Sequence, residues 1–168
     1  EFERAKEAFD LVVSKTESFI GIALKYDTDR ITSKVKILTS GVQNIAKVNI
    51  SFIGAGSYAQ GNLLPNIPKS QYIARVGVLT NTGTTSKRVA EKFNFQFCAA
   101  QESDVLDDNT NTVFVATRHD SHGPYVLKSL EANKNVFVEK PLCLLESELE
   151  SIIQAQSRSK KAVMVGFN

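Results

Sequence analysis

The chain has 168 residues, 42% of them apolar and 23% charged, and a net charge of +2. These proportions suit an ordinary globular protein with room for one good domain and a small appendage. They give no electrostatic case for nucleic acid or an anionic membrane, and no apolar run reaches the length of a membrane span.

The N-terminus carries no secretory h-region, and Cys98 and Cys143 lack metal-ligand spacing, so reduced thiols in a cytoplasmic protein are expected. His119 and His122 are the only histidines, which argues against a zinc site, and no metal ligand is assigned. Residues 1–16 have the spacing of an amphipathic helix, with Phe2, Ala5, Phe9, Val12 and Val13 on one side. Residues 18–25 then read as a short strand, and the polar stretch 27–46 as a linker. The first 26 residues are too few to bury a core of their own.

From Val48 the chain settles into a strand–helix rhythm. Strands are expected at 48–53, 72–79, 95–99, 112–117, 135–138 and 162–167, with helices at 57–66, 84–93, 121–132 and 145–158. Pro65 limits the first helix; Asp120 and Ser121 are candidate caps for the third, which ends near Asn133. The last helix places Leu145, Leu149, Ile152 and Ile153 on one face and Glu146 and Glu148 in its first turn. The expected fold is α/β: a Rossmann-type, doubly wound parallel sheet with helices on both faces, preceded by the helix–strand appendage.

The pivotal stretch is Val48–Gln60, VNISFIGAGSYAQ. Gly54, Gly56 and Ala59 form G-x-G-x-x-A between a buried strand and a helix. The first glycine makes the tight turn, the second admits a pyrophosphate, and the third small residue lets helix and strand pack. The helix N-terminus, with Ser57 and Tyr58 in its first turn, offers free N–H groups to phosphate. Ligands of such sheets bind outside the carboxyl ends of the strands, so Gly54–Gln60, Thr80–Asn81, Thr117–His122 and Lys140 converge on one crevice. Thr80 stands where a carboxylate commonly holds the ribose of NAD; with Lys87 and Arg88 following, the cofactor is NAD(P), slightly favouring NADP. Lys140, at a strand end and fixed by Pro141, can donate a hydrogen bond to a substrate oxygen or pass a proton, and Glu139 can orient its ammonium. His122 can line the nicotinamide end of the cleft, whereas Arg118 and His119 read as loop residues rather than catalysts.

The segments GAGSYAQ, ATRHDSH and NVFVEKPL, in that order and spacing, resemble the N-terminal domain of the Gfo/Idh/MocA family over residues 48–168. The resemblance implies an NAD(P)-binding domain of an oxidoreductase that moves hydride between nicotinamide and a sugar, polyol or sugar nucleotide. It implies Gly54, Gly56 and Ala59 at the pyrophosphate, Thr117 and His122 near the nicotinamide, and Lys140 as the catalytic lysine. The sequence departs from the family pattern at Thr80, at Arg118 (where proline is common) and at Leu145 (where Ser or Thr caps the helix). The family's substrate half would begin near Val165–Asn168, so the fragment alone is expected to bind cofactor without turnover. Upstream, FERAKEAFDLVVSKTESFIGIALKY resembles the end of a zinc-type medium-chain alcohol dehydrogenase. The implied domains are a tail at 1–26, a linker at 27–46 and the NAD(P)-binding domain at 47–168. A small-molecule substrate is the expected partner, with no nucleic acid or membrane, and oligomeric state is open. Two alternatives stand beside this: a non-catalytic NAD(P)-sensing or scaffold domain, and an S-adenosylmethionine-dependent methyltransferase that uses similar glycines.

Overall fold

The computed structural model describes residues 1–26 and 47–167; the expected linker lies outside the described residues. Contacts divide the chain into a unit at Glu1–Val42 and a unit at Gln43–Asn168.

In the first unit a 3-10 turn, Phe2–Arg4, runs into α1 (Ala5–Ser14), which closes on Lys15 in the left-handed conformation, its N–H donating to Leu11 O. The helix follows from its apolar spacing, yet none of its residues is buried; Phe9 is 68% and Val13 81% exposed. The expected strand at 18–25 is absent. A strand needs a neighbour that pairs with successive N–H and C=O groups along its length, and a single backbone bond to this segment does not make a ladder. The segment is fixed instead where Phe2 N–H donates to Lys25 O (2.9 Å) and the Phe2 and Tyr26 rings stack at 5.0 Å.

The second unit is built on six parallel strands: β1 (Val48–Ile53), β2 (Ile73–Leu79), β3 (Phe97–Cys98), β4 (Thr112–Val115), β5 (Asn135–Glu139) and β6 (Val163–Gly166), in the order β3-β2-β1-β4-β5-β6. The chain leaves β1 toward β2 and later returns to β4 on the other side, so the sheet's topological switch point lies between β1 and β4. β1 is buried at Ile50–Ile53, as befits a central strand covered on both faces. One face packs Ile53, Val113, Val115, Val136 and Val138 against Val126 and Leu130 of α4 (His122–Glu131) and Ile152 and Ala155 of α5 (Glu146–Ser159). The other packs Ile50, Phe52 and Val78 against Ala59, Leu64 and Val89. Here the aromatic rings of Phe52, Phe114 and Phe137 stack across β1, β4 and β5 at 4.7 and 4.8 Å.

A bulge interrupts the β1–β2 ladder, where Ile50 faces Arg75 but Phe52 faces Val78. Ser51, fully buried inside it, is satisfied: its hydroxyl pairs with Thr110 Oγ1 at 2.7 Å and accepts from Gly77 N–H at 3.1 Å. The helix after β1 opens at 57, widens to a π-helical turn at Ala59–Leu63 and tightens to a 3-10 turn at Leu64–Asn66. Ile67 is extended, as expected of a residue that directly precedes a proline, Pro68, whose ring disfavours the helical region there. Helix α2 (Gly83–Phe93) follows β2, and Arg75 gathers the C-terminal ends of both helices by donating to Phe93 O, Leu64 O and Ile67 O.

Two details of the helices differ from expectation. The α5 stripe divides: Ile152, joined by Ala155, enters the core, while Leu145, Leu149 and Ile153 are exposed. Positions 145, 149 and 153 repeat at four-residue steps along a line rotated away from the sheet. The short helix α3 (Glu102–Val105) was not anticipated from periodicity. No helix among the described residues is long and apolar enough to cross a membrane.

Candidate functional site

The carboxyl ends of β1, β2, β4 and β5 meet at the switch point, and Gly54 is the part that locks them. Its φ is +84°, its N–H donates to Leu79 O at 2.8 Å, and a Cβ there would stand 2.5 Å from Ala116 O and 2.8 Å from Thr117 Cγ2. The turn therefore threads between the ends of β2 and β4 with no room for a side chain. Gly56 is the opposite case, since a Cβ there would meet nothing within 4 Å. Space above an exposed glycine, beside first-turn N–H groups that lack helical acceptors, is what a pyrophosphate needs. Gly56, Ser57 and Tyr58 are exposed around that space. Ala59 is buried, so it serves helix–strand packing and does not reach the crevice surface. Gln60 braces the loop, its Nε2 donating to Ala55 O (2.8 Å) and its N–H to Gly56 O (3.0 Å).

At the end of β2, Thr80 is held by a partner that sequence inspection missed. Fully buried Ser86 accepts from Thr80 N–H (2.9 Å) and pairs with its hydroxyl (3.0 Å), while Thr80 Oγ1 also donates to Thr82 O (3.0 Å). Thr82 caps α2 by accepting from Thr85 N–H, and the T-x-x-T spacing is the signal that could have found this turn. Asn81 is exposed beside it. From Leu79 to Arg88 there is no acidic residue, and Lys87 and Arg88 are the only charges.

At the end of β4, Ser121 Oγ donates to Thr117 Oγ1 (2.8 Å) and to Arg118 O (2.9 Å). This is why Ser121 does not cap α4: its hydroxyl is spent backward on the loop. His122 departs furthest from expectation. It is 1% exposed, with Nδ1 2.7 Å from Pro141 O and Nε2 3.2 Å from Thr117 O. Both partners are carbonyl acceptors, and Nδ1 makes the shorter of the two contacts. A ring engaged on both edges and sealed from solvent cannot line a ligand cleft; it bolts the Thr117 loop to the loop after β5.

Lys140 follows the last residue of β5 and is exposed at the crevice, with no ion pair or hydrogen bond to its ammonium among the described residues. Glu139 does not orient it: no ion pair joins the two, and the Glu139 carboxylate lies beside Gly166 of β6, 3.0 Å from where a Cβ would stand. The Lys140–Pro141 bond is cis. The next turn is anchored by Glu148, whose carboxylate accepts from Leu144 N–H (3.1 Å) and Leu145 N–H (3.2 Å), so the acid supplies the closure that a capping hydroxyl at Leu145 cannot. Gly123 lets α4 approach this turn, since a Cβ there would stand 2.9 Å from the Glu148 carboxyl carbon. Within it, burial and the Glu148 charge push the Cys143 thiol up.

Between the β4 and β5 loops opens a cavity of about 530 Å³, lined by Thr117, Arg118, His119, Asp120 and Leu144. A depression of about 310 Å³ between the C-terminal ends of α4 and α5 lies at the other end of the sheet, away from these groups. No group of three or more His, Cys, Asp or Glu among the described residues could hold a metal.

Comparison with known proteins agrees with this geometry. The Gfo/Idh/MocA profile, described as an oxidoreductase family with an NAD-binding Rossmann fold, matches residues 48–167. Oxidoreductase P35 of Formosa agariphila is 27% identical over 121 residues, covering 71% of this chain and 38% of that protein. Inositol 2-dehydrogenase of Gluconacetobacter diazotrophicus is 26% identical over 125 residues, covering 72% of this chain and 37% of its own. The fold is shared with KijD10, a 3-ketoreductase from Actinomadura kijaniata solved with NADP and TDP-benzene: the TM-score is 0.65, identity 20%, and coverage 71% of this chain and 37% of that one. The chain thus spans little more than a third of the length of each of these proteins.

Proposed function

The chain belongs to the Gfo/Idh/MocA oxidoreductase family, and from that premise we propose that its crevice binds NAD(P) and serves hydride transfer to or from a sugar, polyol or sugar nucleotide. The observation that carries the reading is the convergence at the switch point: the locked Gly54, the open Gly56, Thr117 and Lys140 stand at the ends of adjacent strands. That relatives include an inositol dehydrogenase supports the substrate class. The family match speaks against the S-adenosylmethionine alternative.

Gly56 and the N–H groups of Ser57 and Tyr58 would hold the pyrophosphate, and Thr80 and Asn81 would meet the adenosine ribose. With two cations and no carboxylate from Leu79 to Arg88, this end suits a ribose 2′-phosphate, which slightly favours NADP. Bound cofactor supplies the hydride acceptor or donor at nicotinamide C4. Lys140 handles the accompanying proton: its ammonium gives a proton to the oxygen of a carbonyl being reduced, and its amine takes one from a hydroxyl being oxidised. His122 acts through the backbone, holding the Thr117 and Pro141 carbonyls and thereby the spacing between the nicotinamide wall and Lys140. The proposal includes residues 1–26 as the tail of a preceding medium-chain dehydrogenase-like module, 27–46 as a linker, and a cytoplasmic location. Support for the tail is the sequence resemblance, together with a helix that buries none of its apolar side chains.

The test is Lys140→Ala in an enzyme that contains this domain. Turnover is expected to fall by roughly 10²–10⁴-fold with nucleotide affinity kept. Unchanged turnover, or no turnover in the parent with any polyol or sugar, would favour a sensing domain instead.

A further inference from the structure

We propose that the cavity beyond β4 receives an anionic substituent of the substrate, a phosphate or carboxylate carried by a hydroxylated molecule, and that Arg118 recognises it. This rests on the crevice being a hydride-transfer site and names the class of molecule that enters it. A dinucleotide laid across the switch point has its adenosine toward Thr80 of the β2 end, so its reacting half points toward β4 and β5. The cavity of about 530 Å³ lies on that side, between the loop carrying Thr117 and the turn carrying Leu144. It is a depression open to solvent, with room for a substituent of a small molecule.

The main chain of Arg118 is held firmly while its side chain is not. Its carbonyl accepts from Ser121 N–H (3.0 Å), Ser121 Oγ (2.9 Å) and Thr117 Oγ1 (3.3 Å). The guanidinium is exposed and has no ion pair or hydrogen bond among the described residues. Asp120 lines the same cavity, yet the two charges do not pair. A fixed base with an uncommitted planar fork is the arrangement that takes a carboxylate or phosphate through two parallel N–H donors. The Asp120 carboxylate would repel a bare anion but accepts hydrogen bonds from hydroxyls, and Leu144 offers a small apolar side. Together they select a hydroxylated anion over either a simple anion or a neutral sugar.

The test is calorimetric titration of the nucleotide-loaded chain with glucose 6-phosphate, glucuronate and glucose. At least one anionic probe is expected to bind tenfold or more tighter than glucose, a contrast of the size given by a charge-assisted hydrogen bond. Which one does so separates phosphate from carboxylate. Arg118→Ala should remove the contrast, Arg118→Lys should retain part of it, and nucleotide affinity should be the same in all three proteins. Equal affinity for charged and neutral probes, no binding of any probe, a contrast that survives Arg118→Ala, or a loss of nucleotide affinity in that variant would each overturn the inference. Failure of the parent chain to bind nucleotide would instead count against the cofactor reading itself.

Discussion

Gly54 and Gly56 stand two residues apart in one motif, and the structure separates their roles by an amount that can be measured. Alanine at 54 must adopt φ near +84°, which costs about 1–2 kcal/mol for a residue with a Cβ. Its Cβ would also lie 2.5 Å from Ala116 O and 2.7 Å from Ala116 C, backbone atoms tied to β1 because Ala116 N–H donates to Ile53 O. They cannot move aside without loosening the β1–β4 ladder, so overpacking adds about 1–3 kcal/mol. Gly54→Ala should therefore lose about 2–5 kcal/mol, on the order of 10 °C in Tm for a domain of this size. Gly56→Ala meets no atom within 4 Å and no positive φ, so its stability should stay within about 0.5 kcal/mol of the parent. Its Cβ would fill the space assigned to pyrophosphate, and nucleotide affinity should fall with the fold intact. Thermal and urea unfolding, followed by nucleotide titration of each folded variant, read both effects. Equal destabilisation by the two substitutions, or a Gly54→Ala protein as stable as the parent, would refute the reasoning.

His122→Ala removes a buried ring and its contacts with the Thr117 and Pro141 carbonyls, so unfolding should move by about 2–4 kcal/mol. A shift under about 0.5 kcal/mol would show that the two loops do not depend on it. Thr80→Asp puts a carboxylate at the ribose and should lower affinity for NADPH relative to NADH by roughly tenfold or more; an unchanged ratio would dissociate this position from cofactor choice. The Asp104 carboxyl is held below its ordinary value by the N–H groups of Gln101 and Ala100. Because its folded value is depressed, its stabilising effect is complete above the unfolded value, near 3.9, and is lost as pH falls through the lower folded value. Urea midpoints measured downward from pH 5 should fall less steeply for Asp104→Asn than for the parent, and parallel curves would sink the assignment.

The strands were legible because each carries its own evidence: β1 is a β-branched run ended by two glycines, and its bounds at Val48–Ile53 coincide with the expectation. The convergence of Gly54, Thr80, Thr117 and Lys140 was legible too, since parallel topology alone brings the ends of those strands together. What the sequence conceals is set by third partners. An imidazole is equally at home on a cleft wall or between two carbonyls, and only the fold reveals that Pro141 and Thr117 flank His122. The apolar run at 18–25 has strand composition, but composition supplies no neighbour to complete a ladder. Leu149 and Ile153 show the same limit on α5, where roughly 60–100° of rotation about the helix axis divide core from surface. Ser86 escapes the sequence reading, and Glu148 reads there only as a first-turn acid, because their work is done on backbone N–H groups, which the letters of a sequence do not display.

The central claim is that the Gly54–Ala59 turn is a dinucleotide site, and the most direct test is calorimetric titration of this chain with NAD, NADH, NADP and NADPH. The account predicts that one oxidised–reduced pair binds, NADP(H) ahead of NAD(H), and that Gly56→Val abolishes binding while leaving Tm within a few degrees of the parent. A folded chain that binds none of the four, or one whose binding survives Gly56→Val, would contradict it.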